Sequence, residues 1–230
     1  MRDNPNAVML FAAGFGTRMG ALTQSTPKPL IPVEGRALID RTLDHVYAIS
    51  PDRIVANTHY HHDQMAAHFD GSDVCLSHES PDILETGGGL RAALPLLGRG
   101  PVFTSNTDAI WRGPNPFKIA LSAWRPAEMD ALLVCVPQKS ALGHKGQGDF
   151  TLAPDGRITR GPGVIYGGVQ ILKTDGLQNI QEDAFSLNLL WNQMLAKGRL
   201  FGVPYPGQWC DVGSPDGITS AEQMLSASDV

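Results

Sequence analysis

Six apolar runs recur along the chain, at residues 7–13, 53–57, 73–77, 101–105, 131–136 and 164–172, with more polar stretches between them. Runs this short, bounded by turn-forming residues, predict strands buried on both faces. The stretches between and after them predict helices over 36–49, about 62–69, about 88–97 and 184–197. The third of these is entered through Gly87-Gly88-Gly89. Alternating strands and helices imply an α/β architecture, a mainly parallel sheet with helices on both faces. After about residue 140 the pattern loosens into turns such as Ala153-Pro154-Asp155-Gly156-Arg157 and Arg160-Gly161-Pro162-Gly163. That region predicts a small added subdomain of antiparallel strands, over the carboxyl ends of the sheet where open α/β folds bind ligands. No internal repeat or long linker divides the chain, so a single domain over 1–230 is expected.

Charge narrows the range of partners. With 18 Lys and Arg against 23 Asp and Glu, the net charge is −5, and no cluster of five or more cations occurs. Nucleic acid and a membrane surface are therefore not expected partners. No run of about 18 apolar residues is present to cross a bilayer. The chain passes from Asn4-Pro5-Asn6 into the first strand without a basic leader region, so a cytoplasmic protein is expected. Cys75, Cys135 and Cys210 are odd in number and far apart, which fits reduced thiols. Cys135 falls in an apolar run, and Cys210, although beside Asp211, has no nucleophile context. His59, His61, His62, Asp63 and His68 have the composition of a zinc site. Adjacent histidines diverge, however, and His62 and His68 lack i,i+4 spacing, so a polar loop is the expected reading.

The most specific chemistry lies directly after the first run. Gly14-Phe15-Gly16-Thr17-Arg18-Met19-Gly20 follows Val8–Ala13, and Thr26-Pro27-Lys28-Pro29-Leu30 follows in turn. A glycine-rich turn at the end of a strand exposes backbone N–H groups where a phosphate can sit. A dinucleotide fingerprint requires a helix behind the glycines, which Pro27, Pro29 and Pro32 forbid. A Walker loop requires Lys-Ser/Thr after the last glycine, and Ala21-Leu22 stands there instead. What is left is a phosphate-binding loop carrying two cations, Arg18 and Lys28.

Gly14-Phe15-Gly16-Thr17-Arg18, Pro27-Lys28-Pro29-Leu30 and Ile31-Pro32-Val33 together resemble the signature of the sugar-1-phosphate nucleotidyltransferases, the nucleoside-diphosphate-sugar pyrophosphorylases. Glu85–Gly89, Asn106-Thr107-Asp108 and Trp209-Cys210-Asp211-Val212-Gly213 extend the resemblance over nearly the whole chain. It implies a Rossmann-like fold of GT-A type, with a nucleotide-binding part over about 1–110 and a sugar-phosphate-binding part over about 111–230. At this length no C-terminal acyltransferase β-helix is expected. The implied reaction joins a nucleoside triphosphate to a sugar 1-phosphate and releases pyrophosphate. A sugar phosphate is already an anion at neutral pH, so no general base is needed, and catalysis is positioning and charge stabilisation.

The resemblance also implies roles for residues. Arg18 and Lys28 would be catalytic, Arg18 toward the leaving pyrophosphate and Lys28 toward the α-phosphate. Ala12, Ala13, Gly14, Phe15, Gly16 and Thr17 would hold the nucleotide, with Glu79, Thr86, Gly87 and Asn106 toward the nucleoside. Asp108 and Asp211 would hold Mg²⁺, whose octahedral oxygen preference they suit. Lys145, Gly148, Asp149, Gly168 and Glu182 are candidates for the sugar phosphate. Thr107 departs from the glycine usual between Asn and Asp in the family, and is expected to narrow the pocket or shift Asn106. The substrates implied are UTP and N-acetylmuramate 1-phosphate, in peptidoglycan recycling. Glucose 1-phosphate or mannose 1-phosphate with another nucleotide, a cytidylyl transfer to a phosphorylated alcohol, and a non-catalytic nucleotide-sugar-binding regulator are alternatives. The intact set Arg18, Lys28, Asp108 and Asp211 speaks against the last. Oligomeric state is not legible.

Overall fold

A computed structural model describes residues 3–227. Every apolar run becomes a strand. In chain order the elements are β1 (Ala7–Phe11), β2 (Pro32–Val33), β3 (Arg36–Ala37), α1 (Leu38–Tyr47), β4 (Arg53–Thr58), α2 (His62–His68), β5 (Val74–His78), α3 (Glu85–Leu97) and β6 (Val102–Asn106). They continue with β7 (Ala109–Arg112), α4 (Pro116–Ala123), β8 (Ala131–Pro137), β9 (Ala141–Leu142), β10 (Phe150–Leu152), β11 (Ile158–Arg160) and β12 (Val164–Leu172). The chain closes with α5 (Asn188–Ala196), β13 (Leu200–Pro204), β14 (Gln208–Asp211) and α6 (Pro215–Ser226).

The parallel part of the main sheet is built from β1, flanked by β4 and β6, with β5 outside β4. Beyond β6 the direction reverses. β12 runs antiparallel to β6, β8 antiparallel to β12, and β13 parallel to β8. The ladder of β12 against β8 shifts register between Tyr166 and Gln170. Below that irregularity Val169–Leu172 lies against β6, and above it Val164 pairs with Phe150 of the β10–β11 hairpin. The antiparallel strands expected after residue 140 thus gather at one end of the same nine-stranded sheet. A second, three-stranded sheet, β7–β14–β9, stands beside it.

Both faces of the sheet are covered, as the unbroken apolar runs require. Alternate residues of β1 serve opposite cores: Val8 and Leu10 join one cluster with α1 and α4, whereas Ala7 and Met9 join another with α3 and α5. A third cluster, Met19, Ile31, Val33, Cys210 and Val212 with α6, seats the glycine loop on the small sheet. Cys135 and Cys210 are buried and free, their thiols pushed up by burial to about 12 and about 11, which opposes a nucleophilic role.

α1 starts two residues later than expected because Arg36–Ala37 pair as β3, and two other helix boundaries differ more. α3 begins at Glu85, so Gly87–Gly89 lie inside its first turns and are buried. They are glycine for contact, not flexibility: a Cβ on Gly87 would come within 2.3 Å of the Phe185 ring, and one on Gly89 within 2.4 Å of Glu79 Oε1. α5 begins at Asn188, not 184, because the Asp183–Leu187 stretch is folded onto α3. The Phe185 carbonyl accepts from Gly87 N–H at 2.7 Å and Gly88 N–H at 3.1 Å, and Thr86 Oγ1 accepts from Leu187 N–H at 3.0 Å.

Candidate active site

The chain leaves β1 at Phe11 and crosses the carboxyl edge of the sheet. Ala12 N–H donates to buried Asn57 Oδ1 at 2.8 Å, which fixes where the loop departs. Gly16 takes φ +64°, and a Cβ there would stand 2.9 Å from both the Lys28 and Thr23 side chains. The loop then winds through short 3₁₀ turns over Thr17–Thr23, broken at Gly20, and Thr23 Oγ1 donates back to the Gly16 carbonyl at 3.1 Å. Lys28 sits in a second such turn, Lys28–Leu30, between buried Pro27 and Pro29. No continuous helix follows the glycines, as the prolines required.

Two remote segments close on this loop. Lys28 Nζ donates to Asp108 Oδ2 at 2.7 Å, with only 9% of Lys28 exposed. Antiparallel pairing of β7 and β14 sets Asp211 opposite Ala109, and Val212 N–H donates to the Asp108 carbonyl at 2.9 Å. The two aspartates are therefore brought to adjoining strand ends. Burial raises the Asp211 carboxyl above its ordinary range and the Asp108 charge raises it further, while Lys28, Arg18 and His144 pull the other way. Arg18 Nη1 and Asp211 Oδ2 each stand 3.0 Å from the place a Gly213 Cβ would occupy, so the guanidinium and the carboxylate crowd the same glycine. Arg18, Lys28, Asp108 and Gly213 border a cleft of about 290 Å³ that also takes in Phe11, Gly14, Gly16, Thr17 and Asn106, while Asp211 lines an adjoining hollow that shares Arg18 and Gly213 with it.

Thr107 is itself among the residues lining this cleft. Its Oγ1 donates to the Phe11 carbonyl at 2.8 Å, tying the Asp108 loop to the end of β1, and the residue is buried.

Glu79 lies apart from the expected nucleoside contact. Only 2% exposed, it accepts from Asn57 Nδ2 at 2.7 Å through Oε1 and from Leu84 N–H at 2.7 Å through Oε2. Both oxygens serve to join β4 to the start of α3, so Glu79 positions the Ala12 and Gly87 segments and does not face the cleft. The Gly87 N–H is likewise occupied by Phe185.

A second hollow, about 320 Å³, adjoins the first through the shared residues Phe11 and Asn106. Thr86, Asp149, Arg160, Tyr166, Asn188 and Trp191 are among its walls. Asp149 Oδ2 accepts from Tyr166 N–H at 2.9 Å, and buried Gln170 links Thr104 Oγ1 at 3.0 Å to Trp191 Nε1 at 2.9 Å. Gly168 packs against the Asn106 side chain, and Gly148 against the backbone of Gly163.

The remaining sugar-side candidates lie away from Asp149. Lys145 lines a third hollow of about 360 Å³ with His144, Asp211 and Ser214, which adjoins the phosphate cleft through the shared residues Arg18 and Gly213. Glu182 is exposed and outside all three hollows, its carbonyl accepting from Arg91 Nη2 at 2.6 Å. The cation that does stand with Asp149 is Arg160, which the sequence reading passed over. Its signal was faint: an arginine ending the short Ile158–Arg160 strand before Gly161-Pro162-Gly163.

The histidines of residues 59–68 make separate contacts. His61 Nε2 meets the Gln24 carbonyl at 3.2 Å, His68 Nε2 meets Asp40 at 2.7 Å, and His62 stacks on His78 at 3.8 Å. With Gln64 Nε2 donating to the Ser25 carbonyl at 2.8 Å, this segment braces the glycine loop from outside.

A glycine-walled cleft at the carboxyl ends of parallel strands, carrying Lys28, Arg18 and Asp108 with Asp211 in the adjoining hollow, suits the handling of a nucleotide's phosphates. The chain matches the MobA-like NTP transferase domain over residues 8–146 and belongs to that family of nucleotidyltransferases, among the sugar-1-phosphate nucleotidyltransferases. It is 38% identical to the N-acetylmuramate alpha-1-phosphate uridylyltransferase of Caulobacter vibrioides, over 98% of this chain and 99% of that protein. The protein of the same name from Neisseria meningitidis serogroup B is 31% identical, over 95% of this chain and 98% of that protein. In fold it is similar to the crystal structure of HddC from Yersinia pseudotuberculosis complexed with GMP-PN, with a TM-score of 0.78 and 20% identity over 96% of this chain and 100% of that one. Sugar-1-phosphate nucleotidyl transfer is the activity these relations support.

Proposed function

We propose that the protein transfers a uridylyl group from UTP to N-acetylmuramate 1-phosphate, giving UDP-N-acetylmuramate and pyrophosphate, in the cytoplasm and in the service of cell-wall recycling. The observation that carries the reading is the Lys28–Asp108 pair at 2.7 Å with Asp211 beside it at the mouth of the glycine loop. The two uridylyltransferase relatives, aligned over nearly their whole length, support the choice of base and sugar.

In this reading the nucleotide lies over the first part of the chain, to about residue 110, and the sugar over the remainder. An oxygen of the sugar phosphate attacks the α-phosphorus, the bond from the α-phosphorus to the bridging oxygen breaks, and pyrophosphate leaves with that electron pair. Lys28 orients and neutralises the α-phosphate and the incoming nucleophile, exchanging its hold on Asp108 for phosphate oxygens. Arg18 neutralises the departing pyrophosphate, and backbone N–H groups of Gly14, Gly16 and Thr17 cradle the chain of phosphates. Asp108 and Asp211 are a donor set that fits Mg²⁺: two carboxylates, the second raised by burial and then by its neighbour, and no third His, Cys, Asp or Glu grouped with them among the described residues. Bound there, Mg²⁺ would supply charge neutralisation on the phosphates.

Pyrophosphate release tests the reading, with UTP, dTTP, CTP and GTP each paired with the 1-phosphates of N-acetylmuramate, N-acetylglucosamine, glucose and mannose, in Mg²⁺ or in EDTA. The fastest release is expected from UTP with N-acetylmuramate 1-phosphate in Mg²⁺. Preference for GTP with mannose 1-phosphate would overturn the substrate assignment, and no release from any pair would favour a non-catalytic binding protein.

A further inference from the structure

We propose that Arg160 reads a carboxylate on the sugar, and so selects a carboxyalkyl-ether sugar 1-phosphate over one that carries a free hydroxyl there. The proposal rests on the sugar-1-phosphate reading above. Arg160 borders the hollow next to the phosphate cleft, facing the same space as Asp149. Its guanidinium lies over the Phe150 ring at 4.8 Å and over Trp191 at 5.6 Å, so its plane is fixed before any ligand arrives. Its polar partners are amides: Nη2 donates to Asn188 Oδ1 at 2.5 Å and to Asn192 Oδ1 at 3.4 Å. Among the described residues it forms no salt bridge. Other arginines of this chain are neutralised, Arg199 by Asp130 and Arg41 by Glu34. An arginine set over two aromatic rings, held by neutral oxygens and bordering a hollow offers a fork of N–H donors to a planar anion, with Asp149, among the described residues, the one carboxylate whose charge acts on it.

The order of the site tells which anion. A substrate's 1-phosphate must reach Lys28 and Asp108 in the first cleft, and the passage to the second hollow runs past Phe11 and Asn106. A sugar ring lying along that passage sends its far substituents, not its phosphate, to Arg160. Asp149 on the same wall repels a carboxylate there, and its Oδ2 is already bound to the Tyr166 N–H. Without Arg160 the hollow would favour hydroxyls. With it, an acidic substituent is matched.

The test compares kcat/KM for N-acetylmuramate 1-phosphate and N-acetylglucosamine 1-phosphate, which differ by the lactyl ether, in the wild type, Arg160→Gln, Arg160→Lys and Asn188→Asp. Arg160→Gln should cut the preference for the acidic sugar about a hundredfold, roughly 2.8 kcal/mol, mainly through KM. Arg160→Lys should fall between, since the charge stays and the fork is lost. Asn188→Asp should lower the preference while keeping the arginine in place, because the new carboxylate occupies it. Equal losses on both sugars in Arg160→Gln would show a merely structural role and overturn the proposal. Binding of free N-acetylmuramic acid against N-acetylglucosamine, by calorimetric titration of the wild type and Arg160→Gln, reads the same preference without turnover. If the wild type turns over no sugar 1-phosphate, the functional reading fails; the binding arm then still decides the role of Arg160, a preference that Arg160→Gln abolishes supporting it and no preference overturning it.

Discussion

Asp130 and Asp211 are each partly buried acids facing two cations, and the protein treats them in opposite ways. At Asp130, burial works against ionisation. Arg199 Nε at 2.9 Å and Lys173 Nζ at 3.2 Å more than compensate, and the carboxyl is held below its usual range. That triad ties together the start of β8, the end of β12 and the start of β13, and it is complete. At Asp211, burial and the charge of Asp108 outweigh Lys28 and Arg18, and the carboxyl is raised. Two acids there share cations that one of them largely claims, since Lys28 bonds to Asp108. A fold that can close a charge triad at one sheet end has left another open at the mouth of the glycine loop. An acid whose charge is left unbalanced beside a cleft marks a place where an arriving ligand can complete the balance.

The contrast can be broken from the functional end first. Lys28→Ala should lower pyrophosphate release by about 10²–10³-fold, the usual cost of losing one placed electrostatic group, with an unchanged circular dichroism spectrum. Near-normal turnover would separate the Lys28–Asp108 pair from the chemistry. Asp211→Asn should do two things of opposite sign: turnover falls by orders of magnitude, roughly as for a lost metal ligand, while the melting temperature in EDTA rises. A carboxyl whose folded pKa is raised weakens the fold when ionised, and that cost fades only as pH falls through the raised value. The asparagine removes it. A lower melting temperature would contradict the electrostatic account of this site.

Asp130→Asn gives the opposite pattern and a smaller effect. Removing one partner of a closed, partly buried triad should cost about 1–3 kcal/mol of stability, with turnover preserved. Because the folded carboxyl is depressed, its contribution is present above the unfolded value near 3.9 and is lost as pH falls through the folded one. Urea midpoints of wild type and variant should therefore differ at pH 7 and converge as pH falls through the folded value of the Asp130 carboxyl. A gap independent of pH would mean that packing, not charge, holds this end of the sheet.

The residues that sequence alone identified are those whose role is set locally. Pro27 and Pro29 bracket Lys28 in a rigid turn, Gly16 needs its positive φ, and the apolar run of β1 is long enough to be buried on both sides. Surroundings that the sequence did not disclose depend on tertiary closure. Glu79 looked available because nothing in its neighbourhood announces Asn57, which is 22 residues away in sequence and takes its Oε1. Lys145 and Asp149 lie four residues apart, yet the chain turns between them through Gly148, at φ +97°, and sends them to different hollows. Arg160 was invisible because its meaning comes from Trp191 and Asn188 on α5, brought beneath it only by the sheet. α4 and α6 were passed over as well. α4 is only 8 residues long, though Asn115-Pro116 starts it and Asn115 Oδ1 caps the Phe117 and Lys118 N–H groups.

On the proposed function, a glycine-loop lysine and an unfinished aspartate pair carry out metal-assisted uridylyl transfer to a sugar 1-phosphate. Pyrophosphate release by the wild type, from UTP and N-acetylmuramate 1-phosphate as Mg²⁺ is titrated into EDTA-treated protein, tests it most directly. Release that starts near zero, saturates with Mg²⁺ and matches the UDP-sugar formed mole for mole is the predicted result. Undiminished release in EDTA, or none at saturating Mg²⁺, would contradict it.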